Sequence, residues 1–304
     1  MNVLVTGSSG WLGQTLVPRL ARDGHKVVGL DPEPGATTSV VGSVVDRALV
    51  RRVIRDEGIT AIVHAAARHK PHIVTHDNSE FVAVNVQGTL NLLEEAVAPG
   101  STVDRFVFTS TTSLMISQEI RDGKAGGAKE AVWIDESMAP LRPRNIYGVT
   151  KLAAEELCRL FNHLHRLPVL VLRTSRFFPE EDDMAHAIVQ SGENTKANEF
   201  LFRRLTVEDA AEAHVVALAR AKEIGFDTFI VSAPTPFRRE DCHDLITDAP
   251  AVVARLFPEY RRLYERRGWT MFDTIDRVYD AGKAERVLGF RCRTDFGEIL
   301  ARLR

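Results

Sequence analysis

Apolar and polar positions change rhythm along this 304-residue chain, and the rhythm sorts its first half into two kinds of element. Short apolar runs of strand length lie at 2–6, 26–30, 60–63, 104–109 and 168–173. Between them, stretches with helical spacing of apolar residues lie at 11–22, 46–56, 79–97 and 146–166. Strand alternating with helix predicts an α/β fold, a Rossmann-type doubly wound parallel sheet with helices on both faces. Such sheets bind ligands beyond the carboxyl ends of their strands. Gly7, Asp31, His64-Ala65-Ala66-Ala67 and Thr111 fall at those ends.

The second half is less regular. Residues 174–204 read as loop-rich with one short helix. Thr206 to Lys222 reads as a helix with Thr206 as N-cap and Asp209 in its first turn. Asp227 to Ser232 reads as a strand, and helices dominate from Pro234 onward. The expected organisation is a dinucleotide domain over 1–174 plus about 205–232, with a smaller, interleaved substrate region over 175–204 and 233–304.

Two segments say what chemistry the fold serves. In Val3-Leu4-Val5-Thr6-Gly7-Ser8-Ser9-Gly10-Trp11-Leu12-Gly13, an apolar strand runs into a glycine-rich turn and a helix start. Gly7 allows the tight turn, Gly10 lets a pyrophosphate approach the backbone, and Gly13 lets the helix pack on the strand. Unpaired N–H groups and the dipole at the helix start favour the anion. Asp31 ends the next strand, where a carboxylate binds a ribose diol and repels a 2′-phosphate, which favours NAD over NADP. The second segment is Tyr147-Gly148-Val149-Thr150-Lys151. It puts a phenol and an ammonium four residues apart on one helix face, and the cation makes the phenolate a usable base near neutral pH.

Bulk composition narrows the class. The chain is 44% hydrophobic and 26% charged, with a formal net charge of −2. That balance offers no basic field for nucleic acid, and Arg261, Arg262, Arg266 and Arg267 read as a solvated helix face. No apolar run is long enough to span a membrane, and the immediate strand leaves no room for a signal peptide. Cys158, Cys242 and Cys292 are scattered, which suggests reduced thiols and a cytoplasmic protein.

These features resemble the extended short-chain dehydrogenase/reductase superfamily, and within it the NAD-dependent epimerase/dehydratase family. The matching residues are Thr6-Gly7-x-x-Gly10-x-x-Gly13, Asp46, His64-Ala65-Ala66-Ala67 and Asn85 in Val84-Asn85-Val86-Gln87-Gly88-Thr89. Phe106 to Thr111, Tyr147-x-x-x-Lys151, Leu172-Arg173 and Val207-Glu208-Asp209-Ala210 match as well. The resemblance implies Tyr147 as general acid/base, Lys151 on the nicotinamide ribose, and Thr111 as hydrogen-bond partner of the reacting hydroxyl. It implies that Asp46 meets the adenine, that Ala65, Ala66 and Ala67 line the dinucleotide, and that Asn85 supports it. Ser9, Trp11, Leu12 and Ser110 complete the expected cofactor contacts. A homodimer through helices near 79–97 and 146–166 is the family's usual assembly.

Departures from the family pattern sharpen the reading. Family dehydratases follow this threonine with Asp and Glu, an acid and a base for water elimination. Here Thr112 and Ser113 stand there, so hydride transfer without elimination remains. Arg176 replaces an Asn that many relatives place on the substrate diphosphate. Arg176, Lys196, Arg203 and Arg204 are suited to phosphates and equally to a simple carboxylate. Thr112 and His69 join the expected substrate set. The expected activity is a nucleotide-sugar epimerase acting through a transient keto sugar. A sugar or polyol dehydrogenase and a non-catalytic NAD(H)-binding protein stay open. His64, His69, His72 and His76 lack a zinc signature, so no metal is expected. Glu180-Glu181-Asp182-Asp183 reads as the acidic first turn of a helix after Pro179.

Overall fold

A computed structural model describes residues 1–177 and 192–304. Its strands are β1 (Asn2–Thr6), β2 (Lys26–Asp31), β3 (Val40–Val41), β4 (Ala61–His64), β5 (Phe106–Thr111), β6 (Val132–Ile134), β7 (Val169–Thr174), β8 (Phe226–Val231) and β9 (Arg277–Tyr279). Seven of them form one sheet in the order β3-β2-β1-β4-β5-β7-β8. Every pairing in it is parallel, as the alternation of elements predicts. The chain winds from β1 outward to β3, then returns to β4 on the other side of β1. A crevice therefore opens beyond the carboxyl ends of β1 and β4, where the connections diverge.

Helices cover both faces. They are α1 (Trp11–Arg22), α2 (Arg47–Asp56), α3 (Asn78–Phe81), α4 (Gly88–Ala96), α5 (Gln118–Asp122) and α6 (Ile146–His165) in the first half. The later ones are α7 (Gly192–Glu199), α8 (Val207–Ile224), α9 (Cys242–Leu256), α10 (Tyr260–Glu265) and α11 (Phe296–Ala301). Strand residues alternate between two cores, as a period of two requires. Val3, Val5, Val63, Val107 and Leu170 pack with Leu16, Leu20, Ala213 and Ala217 of α1 and α8. Leu4, Ile62, Phe106, Phe108 and Val171 pack with Val50, Leu92, Ala154 and Phe161 of α2, α4 and α6. Burying each large aliphatic side chain is worth ~1.5–3 kcal/mol, so this two-sided sheet is the rigid base of the site.

A third core lies outside the sheet. Phe200, Leu201 and Phe202 pack with Leu245, Val253, Leu263, Phe272 and Phe296, and Trp133 and Trp269 lie against them. β6 belongs with this region by pairing with β9, although its residues come from the late part of the first half. Thr206 caps α8 by accepting from the Asp209 amide at 3.0 Å, as its place in the sequence predicts. The four arginines at 261, 262, 266 and 267 are exposed.

Two expectations change. The predicted helix over 79–97 is interrupted by a π-helical segment, Val82–Gln87, between α3 and α4. The wider turn lets Asn85 bond the backbone of Arg68 and the hydroxyl of Thr150. Asp46, expected at the adenine, is instead the N-cap of α2, five residues past the short β3. Its carboxylate accepts from the Leu49 amide at 2.9 Å, a contact worth ~1 kcal/mol to the helix.

Candidate active site

The glycine turn is held by close backbone packing. Gly7 has φ of 74° and donates its amide to the Leu30 carbonyl at 2.9 Å. A Cβ on Gly7 would sit 2.7 Å from the Ala66 amide nitrogen, and one on Gly13 would sit 2.2 Å from the Gly7 carbonyl oxygen. No larger residue fits either place, so the turn presses against the end of β4 and the first turn of α1. Gly10 is the N-cap of α1 and offers no side chain, so the first amides of the helix lack a side-chain partner from the cap. They face the crevice as an anion cradle. Asp31 braces this turn, accepting from the Ser9 amide at 3.1 Å and from the Glu33 amide at 2.9 Å.

A cleft of about 660 Å³ runs along these strand ends. Gly7, Ser9, Gly10, Trp11 and Leu12 line one end, with Asp31 beside them. Ala65, Ala66 and Ala67 form its floor, and Ser110, Tyr147 and Lys151 close the other end. Gly13 works behind the turn by letting α1 approach. Asn85 also lies behind the lining and connects Arg68 to Thr150 of α6. Asp46 does not reach the cleft, because its carboxylate faces the first turn of α2. Ser43 and Val44 line the cleft in its stead. Their signal in the sequence is their place just past the short edge strand, at a carboxyl end. Pro32, Glu33, Arg68 and Phe177 are further lining residues that the motif reading passed over, and His72, which the sequence offers beside His69 as a pocket residue, lines the cleft as well.

Tyr147 and Lys151 are set by the start of α6. Asn145 caps it, accepting from the Gly148 amide at 2.9 Å. The i,i+4 spacing then turns both side chains to the cleft. Lys151 is fully buried, with its Nζ 4.0 Å over the Phe108 ring. Burial pushes its ammonium down to about 7, against the opposing pull of Cys158 and Glu155. Glu155 accepts a short hydrogen bond of 2.5 Å from Ser110 and is gripped by Arg173 at 2.8 Å. That buried pair ties the end of β5 to α6 one turn past Lys151.

A second cavity, about 120 Å³, adjoins the cleft. His69, Tyr147 and Thr174 line both, so the phenol stands at their junction. Thr111, Thr112 and Ser113 line the smaller cavity, as do Arg176 and Arg203. Thr111 accepts from the Ser113 amide at 3.1 Å, which fixes its hydroxyl at the head of the next turn. Arg204 is not in the lining, and it pairs with the buried Glu199 at 3.5 Å. Burial would raise the Glu199 carboxyl, but Arg203, Arg204 and Arg176 outweigh it and hold it down. His69 is pushed down to about 4 by burial, then by His72 and Arg68, so it is neutral at pH 7. The stretch Glu180 to Asp183, with the helix expected there, lies outside the described residues.

The His72 Nδ1 accepts from the His69 amide at 3.1 Å, and the rings of His69 and His72 stack edge to face. Among the described residues, no group of three His, Cys, Asp or Glu side chains is arranged to hold a metal. Among them too, no helix is long and apolar enough to cross a membrane.

A parallel sheet with an anion cradle after β1, an acid after β2, and a phenol and lysine on α6 defines a dinucleotide-dependent enzyme of the α/β class. The chain belongs to the NAD dependent epimerase/dehydratase family, which it matches over residues 3–231. NAD is the family's cofactor, and the close-packed glycine turn, the bare helix start and Asp31 fit it. The chain is 27% identical to a UDP-glucose 4-epimerase of Mycolicibacterium smegmatis, covering 99% of this chain and 97% of that one. It is 33% identical to the low-salt glycan biosynthesis protein Agl12 of Haloferax volcanii over 59% of this chain. It spans just over half of that relative, 57% of its length. Its fold is that of a short-chain dehydrogenase/reductase superfamily protein of Agrobacterium tumefaciens with bound NAD, with TM-score 0.68 and 23% identity. That alignment covers 100% of this chain and 96% of the other.

Asp31→Ala is expected to weaken NAD binding and to narrow the preference for NAD over NADP, measured by equilibrium titration. Asp46→Ala is the control, with ~1 kcal/mol less stability and unchanged affinity. Tighter NADP than NAD binding by the unmodified protein would exclude this role for Asp31.

Proposed function

We propose that the protein is a nucleotide-sugar 4-epimerase. The observation behind this reading is the position of Tyr147, at the junction of the dinucleotide cleft and the cavity that contains Thr111. Thr112 and Ser113 follow that threonine, so no carboxyl pair stands there to expel water. Similarity along nearly the whole chain to a UDP-glucose 4-epimerase supports the same reading.

In this reading Gly7, Ser9, Gly10, Trp11 and Leu12 hold the pyrophosphate, and Asp31 holds the adenosine ribose. Ser43 and Val44 meet the adenine, and Ala65 to Ala67 and Ser110 line the dinucleotide. When bound, NAD supplies reversible oxidation of the sugar carbon. Lys151 lowers the cost of the Tyr147 phenolate, which takes the proton from the sugar hydroxyl. Thr111 donates a hydrogen bond to that same oxygen. After the keto sugar turns its other face, Tyr147 returns the proton. Thr112, His69, Arg176 and Arg203 line the sugar's cavity, and Arg204 steadies Glu199 behind it. Residues 1–174 and 205–232 form the dinucleotide half and 175–204 and 233–304 the substrate half, with the β6 strand joining the latter. Three free cysteines accord with a reducing, cytoplasmic setting.

Tyr147→Phe is expected to bind NAD normally and lose at least ~10²-fold in turnover, the scale of a missing general acid/base. Activity within a few-fold of the unmodified enzyme would remove Tyr147 from the chemistry. Substrate deuterated at the reacting carbon separates the two reaction types. An epimerase keeps the label on that carbon of the inverted product, whereas deuterium accumulating in free NADH establishes a dehydrogenase. Assembly is tested independently. Val82, Val149, Leu160 and Leu164 are exposed on the α3–α4 segment and α6, where a second copy would cover them. Light scattering at micromolar concentration is expected to give a dimer mass, and a monomer mass refutes the pairing.

A further inference from the structure

Ser175 is the first residue past β7, and main-chain bonds pin the backbone around it. Its own amide donates to the Val231 carbonyl at 2.8 Å. The next residue, Arg176, donates its amide to the Arg203 carbonyl at 3.2 Å and accepts from the Leu205 amide at 3.0 Å. Ser175 is 3% exposed and lines the small cavity beside Tyr147, together with Thr111, Thr112 and Ser113. Among the described residues, its hydroxyl has no hydrogen-bond partner. The threonine hydroxyls around it are engaged. Thr174 donates to the Ser110 carbonyl at 2.9 Å, Thr112 reaches the Thr174 carbonyl at 3.4 Å, and Thr111 accepts from the Ser113 amide at 3.1 Å. A buried hydroxyl left without a partner costs free energy, and native proteins keep few of them.

The place of this hydroxyl in the sheet says what it meets. Thr174, one residue earlier, lines both the dinucleotide cleft and the cavity, and it is the register partner of Thr111 on the adjacent parallel strand. Ser175 therefore stands one residue beyond that pair, with the two strands ~4.8 Å apart. In the reading above, Tyr147 and Thr111 both serve the oxygen on the reacting carbon. The oxygens on either side of it, in a sugar ring, then face other parts of the same cavity wall. A serine hydroxyl turns among its staggered positions at little cost, and it both donates and accepts, so it suits another hydroxyl. We propose that Ser175 is a specificity-determining residue, whose hydroxyl bonds a sugar hydroxyl flanking the reacting carbon. This rests on the nucleotide-sugar reading and adds a substrate contact to it. The bond forms only when substrate is bound, so it acts on recognition and leaves the stability of the free protein untouched.

The test compares Ser175→Ala with the unmodified protein in stability and in binding. Without ligand, the variant is expected to melt at the same temperature or higher, because it loses no bond within the protein. A lower melting temperature assigns the hydroxyl an internal partner and overturns the inference. Loaded with NAD, the variant is expected to bind UDP-glucose about three- to tenfold more weakly by titration calorimetry, the size of one neutral hydrogen bond. Equal binding overturns the inference and leaves the nucleotide-sugar reading standing. UDP-3-deoxyglucose and UDP-6-deoxyglucose, which lack the hydroxyls on either side of C4, locate the contact. The penalty of Ser175→Ala is expected to vanish with one of them, and a penalty kept with both overturns the assignment to a flanking hydroxyl. If the unmodified, NAD-loaded protein binds no UDP-glucose, the nucleotide-sugar reading itself fails, and the contact falls with it.

Discussion

One buried imidazole joins the two halves of the site. His64 ends β4 with no exposure to solvent, and its Nδ1 meets the Thr6 hydroxyl at 2.7 Å. Its Nε2 meets the Thr89 hydroxyl at 3.0 Å, and that hydroxyl donates to the Asn85 carbonyl at 2.7 Å. A hydroxyl that donates onward must accept from the ring, so the proton sits on Nε2 and Nδ1 accepts from Thr6. Thr6 in turn accepts from the Ala66 amide at 3.2 Å. Asn85 continues the chain to the Thr150 hydroxyl at 3.0 Å, which bonds the Tyr147 carbonyl at 3.1 Å. The glycine turn and the helix with the phenol are thus fixed to one another through fully paired buried groups. Burial, then the nearby Lys151, holds the imidazole well below its usual pKa, so this relay stays neutral and intact through the physiological range.

Around that frame the charges are arranged by burial. Lys151 is a cation withdrawn from water, softened by the Phe108 face and by Cys158 and Glu155 further along its helix. Such a group gains most from a neighbouring anion, and a phenolate four residues earlier on the same helix face is available to be one. The arginines around the second cavity solve the same problem differently. Arg203 and Arg204 are buried against Glu199, which stays ionised because they surround it. A buried ion cluster of this kind adds little net stability but fixes where its guanidinium groups point.

The sheet, its parallel sense and the places of its ends were legible in the chain. Apolar runs of strand length, alternating with helical spacing, leave little choice of fold, and Gly7, Asp31 and Tyr147 follow from local rules of backbone and helix geometry. Asp46 was not legible in the same way. An Asp before a helix serves equally as a cap or as a ligand contact, and only the direction of its carboxylate, toward the Leu49 amide, distinguishes them. Likewise the apolar pattern over 79–97 fits an uninterrupted helix, whereas the π turn at Val82–Gln87 accompanies the bonds of Asn85 to Arg68 and Thr150, partners distant in the chain.

The sequence by itself therefore determined the architecture, the cofactor and the spacing that sets Tyr147 and Lys151 on one helix face, since each depends on a pattern within short segments. Tertiary structure alone decided what surrounds the phenol. Arg121, Arg144, Arg203 and Arg277 are far apart in the chain and obey no common period. They meet because β6 pairs with β9 outside the main sheet, and because Arg176, just after β7, bridges to Arg204. Contacts of that kind are set by the packing of distant elements, whose geometry no local pattern of residues records.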